Sequence, residues 1–116
     1  MSADHSLIFR IIRGEIPATI VHETPDTIAI RDIKPQAPYH VLIIPRAHIR
    51  SLNAATEANA ALLGRMQLIA AELAKGAGYA DSGYRTVVNT GADGGQTVFH
   101  LHLHQLAGGQ FHWPPG

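Results

Sequence analysis

The chain has 116 residues, of which 46% are hydrophobic and 16% charged, a composition typical of one globular domain spanning residues 1–116. Nine basic residues balance nine acidic ones, so the sequence lacks the basic excess that usually accompanies binding to nucleic acid. The absence of cysteine excludes disulfides and thiolate metal sites. No apolar run approaches the ~20 residues of a membrane helix, and the N-terminus lacks a signal-peptide pattern. We therefore expect a cytoplasmic protein with no membrane partner.

The first half of the chain predicts one short helix and three strands. Isoleucines at helical spacing indicate an amphipathic helix over residues 7–13, capped by Asp4 or Ser6 and ended by Gly14. The predicted strands, rich in β-branched and apolar residues, are residues 19–23, 27–32 and 40–44. Turn-forming residues between the first two strands predict a hairpin.

The second half predicts a long helix followed by two strands. The helix starts near Thr56 and stops at Gly76 and Gly78. Its apolar stripe at helical spacing consists of Leu62, Met66, Ile69 and Leu73. A strand at 85–89, a glycine-rich loop at 91–96 and a last strand at 98–106 follow. The order of these elements predicts an α+β fold, in which an antiparallel sheet of about five strands carries one long and one short helix.

Three of the eight histidines occupy alternate positions of the last predicted strand. Because side chains alternate across a strand, His100, His102 and His104 share one face, and the apolar residues between them face the core. Such a row has three interpretations: an exposed polar face, a metal site, or nucleophilic and acid–base chemistry. We favour the third, because neutral imidazole is a good nucleophile with a pKa of ~6.5, and a protonated neighbour can donate to phosphoryl oxygens.

The loop that precedes the histidine row is rich in glycine. Glycine allows backbone N–H groups to turn toward an anion, and Gln96 and Thr97 add side-chain donors. Taken alone, this loop is better explained as a loose hairpin. Next to three histidines, it predicts a cradle for a phosphate group.

Together these residues resemble the histidine-triad (HIT) superfamily, and within it the Hint branch of purine nucleoside phosphoramidases. The family motif is His-φ-His-φ-His-φ-φ, where φ is apolar, and residues 100–106 read HLHLHQL. The resemblance also covers GEIP at 14–17, DIKPQAP at 32–38, IPRAH at 44–48, VN at 88–89 and WPPG at 113–116. It therefore runs nearly end to end and implies a HIT-like fold.

The resemblance assigns roles to individual residues. It implies that His102 is the nucleophile, forming a nucleotidyl-histidine intermediate that water resolves to the nucleoside monophosphate. His40 and His100 match the wider histidine cluster that supports it. The residues matched to α-phosphate contacts are His104, Thr97, Asn89 and the backbone near Gly95.

The remaining substrate contacts are implied in the same way. Asp32 matches the carboxylate that accepts from the ribose hydroxyls. The base pocket is matched by Ile8, Ile11, Ile16, Ile30 and Ile33, with Arg31 beside them, although each isoleucine alone is better explained as plain core. Trp113 matches a tail residue near the leaving group.

The activity implied is hydrolysis of purine phosphoramidates and acyl- or aminoacyl-adenylates at the α-phosphate, by a homodimer that binds AMP, GMP or adenosine analogues. The alternatives are a diadenosine polyphosphate hydrolase and a nucleotide-binding regulatory module with little turnover. The cysteines that hold zinc in some relatives are Ser6 and Phe9 here, so we expect no metal and no cofactor. Gln105 stands where the motif prefers an apolar residue, and we expect it to be partly exposed.

Overall fold

The structure, a computed structural model, describes residues 7–116, so the helix caps proposed at Asp4 and Ser6 lie outside the described residues. The elements are α1 (Leu7–Ile12), β1 (Ile20–Glu23), β2 (Thr27–Arg31), β3 (Tyr39–Pro45), α2 (Ala60–Ala77), β4 (Tyr84–Val87) and β5 (Leu103–Ala107). The five strands form one antiparallel sheet in the order β1-β2-β3-β5-β4. This architecture confirms the α+β fold with one long and one short helix. No helix in the described range is long and apolar enough to cross a membrane.

Helix α2 packs along one face of the sheet, as its apolar stripe predicts. Before it comes a 3-10 turn in which Thr56 and Asn59 form a capping box, so the α-helix proper begins at Ala60. Gly78 ends the helix with a φ of 85°, a left-handed conformation that suits glycine. The core on this face is built from Met66 and Ala70 of the helix against Ala29, Val41, Ile43 and Leu103 of the sheet.

The short helix α1 covers only part of the opposite face. Ile8 packs there against Ile28, Ile30 and Ile44, whereas Ala29, between two of them in β2, belongs to the α2 face. Both faces of β2 are therefore buried, as expected for a strand inside a sheet covered on each side. Because α1 has only six residues, it leaves room for a cleft beside β3 and β5.

The last strand begins later than predicted. β5 starts at Leu103, whereas the alternation of apolar and polar residues indicated a strand from residue 98. The segment before it does not pair with β3; instead the Leu101 N–H donates to the Ile49 oxygen, 2.7 Å away, in the segment after β3. The prediction was wrong because side-chain alternation does not reveal which backbone groups pair. β4 likewise ends at Val87, two residues earlier than expected.

Gln105 is fully buried and faces α2, so the expectation of partial exposure was wrong. Its Nε2 donates to the Ala70 oxygen at 2.6 Å, and the Tyr39 hydroxyl lies 3.4 Å from its Oε1. A buried amide is tolerated when its polar atoms find partners, and here the partners come from a helix carbonyl and a tyrosine. Gln105 therefore ties β5 to α2.

Candidate active site

A cleft of about 510 Å³ opens on the α1 face of the sheet. Most of the site residues expected from the sequence line it: Ile8, Ile11, Ile16, Ile30, Arg31, Asp32, Ile33, Asn89, Gly95, Gln96, Thr97, His102 and His104. The cleft is also lined by Leu7, Pro17, Ala18, Lys34, Leu42 and Val98, which the sequence analysis did not single out. Of these, Leu42 was accessible to pattern reasoning, because it shares a face of β3 with His40 and Ile44.

The ring of His102 has one nitrogen fixed by the main chain. Its Nδ1 lies 2.7 Å from the His100 carbonyl oxygen, and a carbonyl only accepts, so Nδ1 carries the proton and donates. Nε2 of the neutral ring then holds a lone pair. His102 lines the cleft, so this lone pair belongs to a half-buried side chain that a substrate can reach.

A chain of hydrogen bonds through His40 determines which ring nitrogen of His104 carries the proton. The Gln36 backbone N–H donates to His40 Nδ1 at 3.0 Å, which puts the His40 proton on Nε2. His40 Nε2 lies 2.9 Å from His104 Nδ1 and donates to it. His104 therefore carries its own proton on Nε2. His40 is buried and does not line the cleft, so it contacts His104 rather than the open space.

His104 stays neutral at pH 7. Burial, and to a smaller extent the neighbouring rings of His102 and His40, lower its pKa to about 4, although the Asp32 carboxylate acts in the opposite direction. His104 is therefore not the protonated neighbour that the sequence left open. A neutral ring with its proton on Nε2 still donates one hydrogen bond into the cleft.

Asp32 lines the cleft, and both of its carboxylate oxygens lie near protein donors. Its Oδ1 accepts from the Lys34 backbone N–H at 2.8 Å, and its Oδ2 lies 3.4 Å from His40 Nε2. Burial lowers the pKa of His40, and the nearby Asp32 carboxylate acts in the opposite direction. The carboxylate retains acceptor capacity for a ligand, since its two oxygens offer about four lone-pair positions.

His100 does not share the cleft with His102 and His104, so the expected row of three side chains is wrong at this position. Its side chain is fully buried, and its Nε2 donates to the Pro45 oxygen at 2.7 Å. Burial lowers its pKa, and within residues 7–116 its Nδ1 has no partner. The chain bends over residues 98–100, before β5 starts, and this bend breaks the alternation. His100 serves the cleft through its carbonyl oxygen, which holds His102.

The glycine-rich loop uses three of its six backbone N–H groups internally, those of Gly91, Gly95 and Gln96. The Gly95 N–H donates to the Ala92 oxygen and the Gln96 N–H to the Gly91 oxygen, each at 3.0 Å. The Gln96 amide accepts from the Gly91 N–H and donates to the Arg50 and Val98 oxygens. Gln96 therefore holds the loop in shape, and its expected role as a phosphate donor was wrong. A Cβ on Gly94 would lie 2.3 Å from the Thr90 oxygen, so that turn requires glycine.

Two side-chain donors remain available in the cleft. Asn89 and Thr97 both line it, and neither side chain hydrogen-bonds to another group in the part of the chain that the structure describes. Both carry N–H or O–H donors suited to phosphoryl oxygens. With His104 Nε2, they are three donors that line the same cleft as His102.

Arg31 and Trp113 are placed differently from the other expected site residues. Arg31 pairs directly with Val41, which faces α2, so its side chain leaves the sheet on the α2 face and only its backbone can line the cleft. Trp113 is 83% exposed and lies outside the cleft. Its tail runs beside β4, where Arg85 donates to the His112 oxygen. The expected contacts of both side chains with substrate are therefore absent from this arrangement of one chain.

One cluster has the composition of a metal site. Asp32 Oδ2, His40 Nε2 and His104 Nδ1 lie within 4.8 Å of one another. A metal ligand must be deprotonated, but the Gln36 N–H keeps the His40 proton on the nitrogen that would bind. If that proton moved to Nδ1, the His40 N–H would face the Gln36 N–H, and two donors would lie in contact. The hydrogen bonds therefore favour a proton relay over a metal at this cluster.

Comparison with known proteins identifies the family. The HIT domain family model matches residues 13–111. A protein of Synechocystis named an uncharacterized HIT-like protein is 51% identical over 98% of this chain and 99% of its own length. The solved structure of a HIT family hydrolase from Legionella pneumophila has a TM-score of 0.94 at 46% identity, covering 97% of this chain and 100% of that one. A histidine triad protein from Clostridium difficile has a TM-score of 0.89 at 36% identity, covering 95% and 96%. The chain belongs to the HIT family.

Proposed function

We propose that the protein is a nucleotide hydrolase of the Hint branch, which cleaves purine nucleoside phosphoramidates and acyl- or aminoacyl-adenylates at the α-phosphate. The observation that carries the proposal is the hydrogen bond from His102 Nδ1 to the His100 carbonyl. It leaves a nucleophilic lone pair on Nε2 of a residue that lines the cleft. The relative from Legionella pneumophila is named a hydrolase, which supports the class of reaction.

The reaction has two displacements at phosphorus. In the first, the His102 Nε2 lone pair bonds to the α-phosphorus as the P–N bond breaks, and the leaving nitrogen takes the electron pair and a proton from solvent. In the second, a water oxygen bonds to phosphorus, the bond to His102 breaks, and the water's proton returns to solvent. One water is consumed, and the products are an amine and a nucleoside monophosphate. Asn89, Thr97 and His104 donate to the phosphoryl oxygens as charge develops.

The rest of the cleft suits a nucleoside. Its inner wall is aliphatic and offers an apolar surface to a base, as ligand pockets commonly do. Asp32, which also lines the cleft, accepts from ribose hydroxyls. With an aliphatic wall, adenine and guanine are both accommodated as substrates. No cofactor enters either step.

We further propose that the enzyme is a homodimer. β4 lies at one edge of the sheet with an unpaired side, and edges of this kind are commonly covered. The exposed Trp113 lies on the tail that runs beside β4, so a partner chain there would bury both. Sedimentation should then give a mass twice the 12.5 kDa of the chain, and a monomer at micromolar concentration would contradict the dimer.

The test of the reaction is His102→Ala, assayed on adenosine 5′-phosphoramidate. We expect kcat/KM to fall about 10³-fold or more, because the nucleophile is lost. His22→Ala is the matched control, since His22 lies in β1 outside the cleft, and its activity should equal that of the wild type.

A second measurement identifies the intermediate. Mass spectrometry of wild-type protein quenched during turnover should show one added nucleotidyl group on His102. Retained activity in His102→Ala, or an adduct on a different residue, would overturn the mechanism. Faster hydrolysis of diadenosine polyphosphates than of the phosphoramidate would overturn the substrate class, and binding without any turnover would make the protein a nucleotide-binding module.

A further inference from the structure

The His40 ring nitrogen Nε2 has one proton and two acceptors. His104 Nδ1 lies 2.9 Å from it and Asp32 Oδ2 lies 3.4 Å from it. The other ring nitrogen is already held by the Gln36 N–H, so a neutral His40 has no second proton to give. The two acceptors therefore compete for a single N–H.

The two acceptors serve different parts of a bound nucleotide under the function proposed above. Asp32 and His104 both line the cleft, where Asp32 accepts from the sugar hydroxyls and His104, beside His102, donates to the phosphoryl group. The His40 side chain is only 3% exposed, so water does not screen the interaction between them. A change in the strength with which Asp32 accepts the His40 N–H must therefore change the hydrogen bond that His104 receives.

A sugar hydroxyl that donates to Asp32 changes the hydrogen bond between Asp32 and the His40 N–H. The hydroxyl occupies one acceptor position of the carboxylate and so weakens the hydrogen bond between Asp32 and the His40 N–H. The proton then moves closer to His104 Nδ1, and a ring that accepts a stronger hydrogen bond on one nitrogen becomes a better donor on the other. His104 Nε2 is the nitrogen available to a phosphoryl oxygen.

We propose that Asp32 and His40 couple recognition of the sugar hydroxyls to the stabilisation of phosphoryl charge by His104. This inference rests on the function proposed above and adds a role for the sugar in the chemical step. His40 is a positioning residue, because it lies outside the cleft and acts through His104. Asp32 is then both a binding group and the point through which the bound sugar acts on the ring.

The first experiment compares kcat and KM for the 5′-phosphoramidates of adenosine, 2′-deoxyadenosine and 2′,3′-dideoxyadenosine. In the wild type, loss of the hydroxyls should lower kcat about tenfold in addition to raising KM, because a hydrogen bond to a charged group is lost and its effect reaches the transition state. A change confined to KM would mean that the hydroxyls contribute binding alone, and would overturn the coupling.

The matched variant is His40→Asn, which removes the shared N–H without touching the cleft. We expect it to have a lower kcat on adenosine 5′-phosphoramidate, and the three substrates should then share nearly the same kcat. A difference in kcat as large as that of the wild type would show that the hydroxyls act by a route other than His40.

A binding measurement keeps the coupling testable if the proposed hydrolysis is wrong or if the variant does not fold. Wild-type protein labelled with ¹⁵N in histidine is titrated with adenosine and with 2′,3′-dideoxyadenosine, and the ¹⁵N shifts of the His40 and His104 rings are followed. Adenosine should shift His40 Nε2 and His104 Nδ1, and the dideoxy compound should shift them much less. Equal shifts with both nucleosides would overturn the coupling, whereas absence of turnover with these unequal shifts would overturn only the proposed hydrolysis.

Discussion

The two faces of the sheet handle buried polar groups differently. On the α2 face a long helix covers the strands, and the one fully buried polar side chain of β5, Gln105, has partners at both ends of its amide. On the α1 face a short helix leaves a cleft, and His102 and His104 each use one ring nitrogen for a protein partner and leave the other for a ligand. The neighbouring residues His104 and Gln105 of β5 therefore have different roles, His104 in the cleft and Gln105 in the core. Mutations on the two faces should accordingly affect activity and stability separately.

The largest effect on the α2 face is expected from Met66→Ala. Met66 is 2% exposed in the core against β3 and β5, so its truncation should cost about 2–5 kcal/mol of unfolding free energy, through lost burial and a cavity. Leu68→Ala in the same helix is the control, because Leu68 is 67% exposed and its loss should stay within about 0.5 kcal/mol. Urea denaturation measures both. A matching fall in kcat of the folded Met66→Ala protein would argue against separable faces.

An intermediate effect is expected from acid, and it should come from the α1 face. Burial lowers the pKa values of His40, His100 and His104, the last to about 4, from an ordinary value near 6.5. Between pH 4 and pH 6.5, the unfolded chain therefore binds more protons than the native one. Stability is therefore fully present above about pH 6.5 and is lost as the pH falls toward 4.

Denaturation midpoints at pH 7.5 and pH 5 measure this loss, and His104→Gln should reduce it. The pKa of Asp26 is lowered from 3.8 by its hydrogen bond to Arg65, so its contribution to stability is lost only below that pH and does not overlap the window. A denaturation midpoint that stays constant from pH 7.5 to 5 would contradict burial of neutral histidines.

The smallest effect is expected from Gln105→Leu, which introduces the apolar residue that the HIT motif prefers. It removes the hydrogen bond to the Ala70 oxygen and the partner of the Tyr39 hydroxyl but keeps most of the volume, so the cost should be about 1 kcal/mol. Gln105→Ala adds a cavity and should cost more. kcat should be unchanged in both variants, since the side chain points away from the cleft. A selective loss of kcat would show that β5 transmits strain from one face to the other.

Local patterns predicted the elements well where the determinant is local. The stripe through Leu62 and Met66 predicts α2, because helical spacing needs only neighbouring residues. The same kind of pattern failed over residues 98–102, where apolar and polar residues go on alternating in the sequence although the segment is not part of the sheet and Leu101 bonds to Ile49 instead. The predicted start near Thr56 likewise agrees with where the helical region begins, but the sequence did not indicate that its first turn is a 3-10 turn.

The residues that form the site were more predictable than the hydrogen bonds between them. The family resemblance assigned His102, His104, Asn89 and Thr97 to one site, and all four line the same cleft. It does not show that His40 contacts His104, because that contact joins residues 64 positions apart and depends on the β3–β5 register, in which His104 pairs with Leu42. Nor does it show that His100 turns inward, since only the three-dimensional course of the chain brings the Pro45 carbonyl to its ring.

Both ring tautomers of the cleft are specified by main-chain groups: the Gln36 N–H for His40 and His104, and the His100 carbonyl for His102. Every coded residue except proline has a backbone N–H, and every one has a carbonyl. A saturation scan of positions 36 and 100 would therefore report on packing and leave the protonation pattern almost untouched. Two determinants of reactivity in this protein would be invisible in an alignment of relatives, however many sequences it contained.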